Sequence, residues 1–480
     1  MAEDLKHKTA KGLTWGLVNN GTTQLLNLVF GIVLARLLTP ADYGIVGVLT
    51  VFTLIAGNLQ AAGFITALCN ERDPQQRDYD SVFWFNITMS ALLYGTLFLC
   101  APLLARFFHA PQLLWLSRFV FLTIPISALS IIANAYMFRQ MMVRETAVIG
   151  IAALLLSGSL GITLAYMGAS YWALAWQQVA YSTVITVGRY LSCPLRPTLH
   201  FSIEPIRRMF AFSMKMMVTT ILNSLSAQVL TFIFGRLFPL SAVGIYSQAN
   251  KWNTMAGEML RNTVAQVAQP VMAQVRDDGE RALRVLRKMM RFSAFVSFPA
   301  MFGLALVSPE FILTAIGQQW LPSVALLRIL ALAGSTLPLY ATLQYVAISH
   351  GRSDIFMWMN VVQVLTQILI VVAMHDWGIE RMVQAVALFW VGYLFAWYAV
   401  TCRLTAHYRL HHFLLDTLPF AVIAAGVMGV TYVLTASLGL HHAVLLCVRI
   451  VLAALLYAGF MLLTKAEIMR ECVAFVRKKQ

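Results

Sequence analysis

Lys251, Glu258 and Arg261 stand in "IYSQANKWNTMAGEMLRNTVAQ" (residues 245–266), a stretch whose flanks are apolar enough to cross a membrane. Lys251 is set at zero on a helix advancing about 100° per residue. Ser247, Gln248, Thr254, Glu258, Arg261, Asn262, Gln266 and Gln269 then share with it an arc of roughly 140°. Ala256, Leu260, Val264 and Val267 fall outside the arc, and Asn253 is the exception. A charge in hydrocarbon costs ~2.5–3.5 kcal/mol on insertion scales, so such a face turns to a bundle interior or a wet cavity. Two cations against one acid leave a net positive charge, which suits an anionic ligand held by charge-assisted hydrogen bonds. A purely structural reading stands beside this one: Glu258 and Arg261, three residues apart, pair with each other, and Lys251 snorkels toward the far surface.

Two further stretches carry uncharged polar side chains within apolar runs. "VNNGTTQLLN" (18–27) supplies Asn19, Asn20, Gln24 and Asn27, and "KMMVTTILNSLSAQ" (215–228) supplies Lys215, Asn223, Ser224 and Gln228. Together they would make hydrogen-bonding walls for a hydroxyl-rich ligand. Each residue singly could equally make an interhelical hydrogen bond worth ~0.6–2 kcal/mol, and Lys215 could simply snorkel to the cytosolic surface. No hydrolytic motif, phosphate-cradling glycine loop or metal-ligand spacing is present, so no catalytic or metal-binding residue is assigned. The six cysteines form no C-x-x-C pair and read as small apolar packers. "DYDSVFWFN" (78–86) and "YWALAWQQ" (171–178) read as interfacial aromatic belts.

The elements that must hold these residues follow from composition. Of 480 residues 59% are apolar and 11% charged, and the mean hydropathy is +0.73. That is the profile of an all-α integral membrane protein; a transmembrane β-barrel would show short alternating segments instead. Fourteen stretches are long enough to span: 12–37, 42–68, 81–105, 113–137, 146–166, 170–191, 209–235, 242–272, 291–313, 322–348, 355–375, 381–402, 413–436 and 442–463. Lysines precede the first span without a short apolar core and cleavage site, which reads as an interfacial lead-in rather than a signal peptide.

Most of the 35 basic residues collect on one side, in "RPTLHFSIEPIRR" (196–208), "RDDGERALRVLRKMMR" (276–291) and "KAEIMRECVAFVRKK" (465–479). Both termini are therefore expected in the cytosol. The net charge of +15 reflects topology, because it is scattered over short loops; nucleic-acid binding is not expected. The segments 276–291 and 465–479 are expected to lie as basic amphipathic helices on the cytosolic surface.

An internal echo recurs at an offset of 200 residues. "ARLLTPADYGIVG" (35–47) overlies "GRLFPLSAVGIYS" (235–247), pairing Arg36 with Arg236 and Gly44 with Gly244. Six spans separate the copies, and an even number preserves direction. The expected plan is two six-helix lobes, 1–200 and 201–410, with the substrate site between them, followed by a helix pair and tail at 411–480. Arg36 and Arg236 read as headgroup anchors, with a gating role as the alternative.

"ARLLTPADYGIVGV", "GFITALCNERDPQQRDYDSVFWFN", "GRLFPLSAVGIYSQANK" and "FPAMFGLALVSPEFILTAIGQQW" (298–320) resemble the successive signatures of the polysaccharide transporter family. These are the oligosaccharide flippases of the multidrug/oligosaccharidyl-lipid/polysaccharide (MOP) exporter superfamily, and the resemblance is to the colanic-acid-exporter-like branch. It runs from about residue 8 to 410. It implies a non-enzymatic flippase of fourteen helices in the bacterial inner membrane. By alternating access it would move undecaprenyl-diphosphate-linked oligosaccharide to the outer leaflet, for lipopolysaccharide or exopolysaccharide assembly.

The implied site is a cavity lined by Lys251, Arg261, Glu258, Lys215, Asn223, Gln24, Asn27 and Asn20. The implied partners are the lipid-linked substrate, membrane lipids, a polysaccharide polymerase and other assembly proteins. No cofactor is implied beyond coupling to a proton or sodium gradient. Relatives often carry an acid five positions before the Gly-Arg of span 7, where this chain has Leu230. Glu258 is then the intramembrane acid left for such coupling. The alternatives are a multidrug/cation antiporter of the same superfamily, which would want excess acid in the cavity, and a membrane-embedded polysaccharide polymerase or ligase, which would want a large outer loop.

Overall fold

The computed structural model describes residues 2–61, 63–71, 74–275, 278–405 and 408–463, and every regular element among them is helical. Two units emerge, Met1–Gly244 and Ile245–Gln480.

The first unit holds α1 (Ala2–Leu37), α2 (Pro40–Ala61), α3 (Phe64–Asn70), α4 (Gln76–Phe107), α5 (Leu113–Val120), α6 (Thr123–Ala128), α7 (Ile131–Arg139), α8 (Val143–Tyr166), α9 (Tyr171–Ser192) and α10 (Ile203–Leu237). The turn between α1 and α2 follows from its sequence: Pro40 occupies the first helical position, and Thr39 and Asp42 cap reciprocally. The Thr39 amide and hydroxyl donate to Asp42 Oδ2 at 2.8 and 2.7 Å, and the Asp42 amide donates to Thr39 Oγ1 at 3.4 Å. Ser170, just before α9, also bonds Asp42. α1 packs on α8 and α8 on α9, while α10 packs against α2, α3 and α4.

The segment expected as an aromatic belt at 78–86 is instead the buried start of α4. Asp78, Tyr79, Asp80, Val82, Phe83 and Asn86 are all buried. Their polar atoms organise the loop before α10. Asp78 accepts from Arg208 at 3.0 Å, Asp80 accepts from the Thr198 amide at 3.0 Å, and Trp84 Nε1 donates to the Thr198 carbonyl at 2.7 Å. A carboxylate so engaged belongs under the loop rather than at a lipid boundary.

The second unit begins inside α11 (Leu240–Val275) and continues with α12 (Gly279–Ala315), α13 (Ser323–Gly334), α14 (Leu337–Ser349), α15 (Ser353–Ala373), α16 (Ile379–Leu404), α17 (Leu410–Ala436) and α18 (His442–Leu463). Its core is apolar and aromatic, with Leu286, Met290, Leu343, Trp397 and Phe413 fully or almost fully buried. The basic segment 276–291 does not lie apart on the surface. From Gly279 it is the opening of α12, capped by Asp278, whose side chain accepts from the Arg281 amide at 3.0 Å. The segment 465–479 lies outside the described residues.

Ten helical segments among the described residues are long and apolar enough to cross a membrane, and the bent run Leu113–Arg139 makes eleven. The remaining expected spans coincide with α1, α9 and α11, which are 36, 22 and 36 residues long; α9 and α11 are too polar to qualify, and the apolar stretch of α1 runs through side chains outside the described ones.

Candidate functional site

α11 is two-faced. Within the second unit, Trp252 meets Phe311 edge-on at 5.2 Å between ring centroids. Ala256 and Leu260 pack against a cluster of Met301, Ala305 and Ala331. Asn253 lies against Gly334, and Gly257 against Leu337. These contacts explain why Asn253 breaks the polar pattern: it faces the packed side, where Gly334 leaves it room.

Lys251, Glu258, Arg261 and Asn262 lie on the opposite side of the helix, and the last three are exposed. Arg261 Nη2 sits 3.8 Å from Glu258 Oε1, with both side chains about half exposed. The ion pair that three-residue spacing allows is therefore formed, loosely, without burying either charge. Lys251 is half-buried, its ammonium 5.3 Å from the neighbouring Trp252 ring, and it meets no acid among the described residues. Near its N-terminal end the face holds Gln248, 1% exposed, with neither amide atom bonded among the described residues, and Ser247 Oγ is likewise unbonded. Buried amides left so invite a bridging water or a ligand.

The other candidates lie in the first unit. On α1, Asn19 faces Gly150 of α8, and Phe30 packs on Gly158 of the same helix. Asn20, Gln24 and Asn27 form a stripe turned about 100° away from that interface, with Asn20 and Asn27 exposed. On α10, Ser224 accepts from Asn58 of α2 at 2.6 Å, so this residue takes the interhelical role. Asn223, one position earlier, is exposed, and the side chain of Lys215 lies outside the described ones, as do those of Gln266 and Gln269. Arg236 Nη1 meets His109 Nδ1 at 3.2 Å and lies over the Phe107 ring at 5.2 Å, which is anchoring of a helix end. Leu230 is buried.

Three long-range polar contacts had no local signal in the sequence. Gln60 of α2 donates to Asn86 of α4 at 3.3 Å. Arg449 of α18 donates to Glu310 of α12 at 2.7 Å, both nearly fully buried. Asp416 of α17, fully buried, accepts from Arg287 Nε at 2.8 Å and Arg291 Nε at 2.6 Å of α12. Only the unusual presence of an acid inside an apolar run could have drawn attention to Glu310 and Asp416.

Polar helix faces in a membrane protein whose described elements are all helical are the arrangement a membrane transporter needs. The fold has close solved counterparts. "Lipid II flippase MurJ, inward closed conformation" superposes with a TM-score of 0.77 at 11% identity, covering 96% of this chain and 100% of the other. A multidrug resistance MATE family transporter of the MOP superfamily gives 0.63 at 14%, covering 81% and 96%. At these identities the likeness is one of fold, and it is the MOP fold. A family model described as "Polysaccharide biosynthesis protein" matches residues 33–325, and the chain belongs to that family. Relatives include the "Succinoglycan biosynthesis transport protein ExoT" of Rhizobium meliloti, 27% identical over 72% of this chain and 70% of its own. Another is the "Lipopolysaccharide biosynthesis protein WzxC" of Escherichia coli, 24% identical over 74% and 73%. The protein is a transporter of polysaccharide biosynthesis, not an enzyme. The polymerase or ligase alternative falls with that.

Proposed function

We propose that this protein is a flippase for an undecaprenyl-diphosphate-linked oligosaccharide, carrying it from the cytosolic to the outer leaflet of the bacterial inner membrane. The reading rests above all on the polar face of α11: a helix packed by its apolar side that keeps Lys251 and Arg261 on the other, with one acid between them. Two cations against one carboxylate favour a diphosphate over a cationic drug. Asn20, Gln24, Asn27 and Asn223 are exposed or half-exposed amides on helices that otherwise read as apolar, and suit sugar hydroxyls. Lys215 has the same role on sequence grounds. The polyprenyl tail stays in lipid, so only the head group needs a polar route. Lobes 1–200 and 201–410 alternate access, 411–480 follows as a helix pair and tail, and both termini are cytosolic. Glu258 is the intramembrane acid available to couple the cycle to protons or sodium ions. A polymerase and other assembly proteins act on the delivered substrate.

Lys251→Ala with Arg261→Ala tests this. In cells depending on the protein, surface polymer is lost while the variant still accumulates in the membrane. Normal surface polymer refutes the site, and resistance to cationic dyes conferred by the wild-type protein would instead favour a drug antiporter.

A further inference from the structure

Charges alternate along the polar face of α11. Glu258 follows Lys251 by seven residues and Arg261 follows it by ten. On a helix rising about 1.5 Å and turning about 100° per residue, Glu258 lies about 10 Å farther along the axis and about 20° around it. Arg261 lies about 15 Å along and about 80° around. The order on one face is therefore cation, acid, cation.

The two cations differ in their surroundings. Lys251 is half-buried over Trp252 and meets no acid among the described residues; it shares its end of the face with the unbonded Ser247 hydroxyl and Gln248 amide. Arg261 is about half exposed and already holds one carboxylate, that of Glu258, at 3.8 Å. α14 runs beside this part of α11. A Cβ on Gly257 would come within 3.2 Å of Leu337 Cδ1, and one turn farther on Tyr340 lies within electrostatic reach of Arg261. The Tyr340 ring meets Tyr393 edge-on at 6.0 Å between centroids, which fixes its position. A guanidinium fork with a phenol nearby suits a planar carboxylate, and a lone ammonium beside an amide and a hydroxyl suits a phosphate.

A diphosphate is two phosphate groups sharing one oxygen, far shorter than the distance from Lys251 to Arg261. An anion stretched between them would also have to pass Glu258, which repels it. A neutral sugar can pass, because its hydroxyls donate to that carboxylate. The face thus matches a ligand with an anionic group at each end and a hydroxyl-bearing neutral part between.

We propose that the glycan carried is an acidic one. Lys251 holds the diphosphate, and Glu258 accepts from the hydroxyls that follow it. Arg261 exchanges its hold on Glu258 for the carboxylate of a uronic acid, roughly two or three sugars from the diphosphate by the spacing along the helix. This names the substrate class of the site on α11, and it rests on the flippase reading.

Full-length protein purified in detergent is titrated with farnesyl-diphosphate trisaccharides that differ only in the third sugar, glucuronic acid or glucose. Bound ligand is read by native mass spectrometry. A charge-assisted hydrogen-bonded contact is worth about tenfold or more, so the glucuronate probe is expected to bind tighter by that ratio, and by less as salt rises. This comparison needs no variant to fold. Arg261→Gln should bring the ratio to about one while the glucose probe still binds. Lys251→Leu should weaken both probes and keep the ratio, and Glu258→Gln, which removes the competitor for Arg261, should raise it. The same trisaccharides without lipid diphosphate separate this proposal from the reading beneath it. If both diphosphate probes bind equally, or Arg261→Gln leaves the ratio as it was, the acidic glycan is refuted and the flippase reading stands. If neither binds more tightly than its diphosphate-free counterpart, the flippase reading falls and the proposal with it.

Discussion

Lys251 and Arg261 differ in what surrounds them, and their substitutions should differ accordingly. Arg261 shares its charge with Glu258 at 3.8 Å, whereas Lys251 meets no acid among the described residues. Lys251→Arg should keep surface polymer, because a diphosphate needs the charge, and Lys251→Leu should lose it at unchanged protein level; a quantitative surface-glycan assay reads both. The Glu258–Arg261 pair is half exposed, where such pairs are worth ~0–1 kcal/mol. Glu258→Gln should therefore leave the thermal unfolding of purified protein nearly unchanged. If Glu258 couples the cycle, the same variant loses the dependence of vesicle transport on an imposed ion gradient. A variant as gradient-dependent as the wild type assigns Glu258 to ion pairing alone.

Among the helices, one close approach joins positions the repeat makes equivalent. A methyl group on Gly44 of α2 would run into the carbonyl of Leu240, and one on Gly244 into the carbonyl of Pro40; each pair is related to the other by the 200-residue offset. Reciprocity of this kind is what a local two-fold relation between the turns at 39–44 and 239–244 requires, and only a residue without a Cβ permits it. Gly44→Ala and Gly244→Ala should each part the two turns, so that a single cysteine placed at Ala41 reacts faster with a membrane-impermeant maleimide than in the parent. An unchanged rate would mean the turns are already apart.

α12 and α18 are joined differently, through Glu310 and Arg449, and Arg449 Nε also donates to Thr435 of α17 at 3.0 Å. Removing one partner of a buried pair costs ~3–5 kcal/mol, whereas replacing both with apolar residues is often neutral. Arg449→Leu should lower the unfolding temperature in detergent sharply, and Glu310→Leu with Arg449→Leu should recover most of it. A double variant as unstable as the single would show that the pair contributes through more than its mutual neutralisation.

For the whole molecule the decisive count is of crossings. If α1, α9 and α11 cross the membrane as the apolar helices do, then His200 between α9 and α10 and Glu280 at the start of α12 lie on the cytosolic side, and Gln112 before α5 lies outside. All three are exposed positions. Single cysteines at His200 and Glu280 should resist an impermeant reagent in intact cells and label in inverted vesicles, with the reverse for Gln112. Labelling of both His200 and Glu280 from outside would remove α9 from the crossings, and labelling of Glu280 alone from outside would remove α11. The C-terminal helices α17 and α18, beyond the reach of the sequence resemblance, are integral to the second unit because Asp416, Arg449 and Tyr457 all bond α12; Tyr457 donates to the Phe295 carbonyl at 3.0 Å.

The amino-acid sequence by itself determined that the protein lives in a membrane, where its helices run, and that one side of α11 is polar. These are local properties: a bilayer selects on the composition of some twenty consecutive residues, and a helix repeats its faces every few. It also carried the family, because the signature segments keep their order along the chain. The tertiary structure alone decided which polar groups meet. Asn58 finds Ser224 across 166 residues, Arg449 finds Glu310 across 139 and Arg287 finds Asp416 across 129. Such partners are chosen by packing rather than by spacing. The same is true of the belt at 78–86, whose aromatic residues look interfacial until Asp78 and Asp80 are seen holding the loop before α10. Hydrocarbon offers a buried charge no other partner, so its match is fixed by where the helices come to rest.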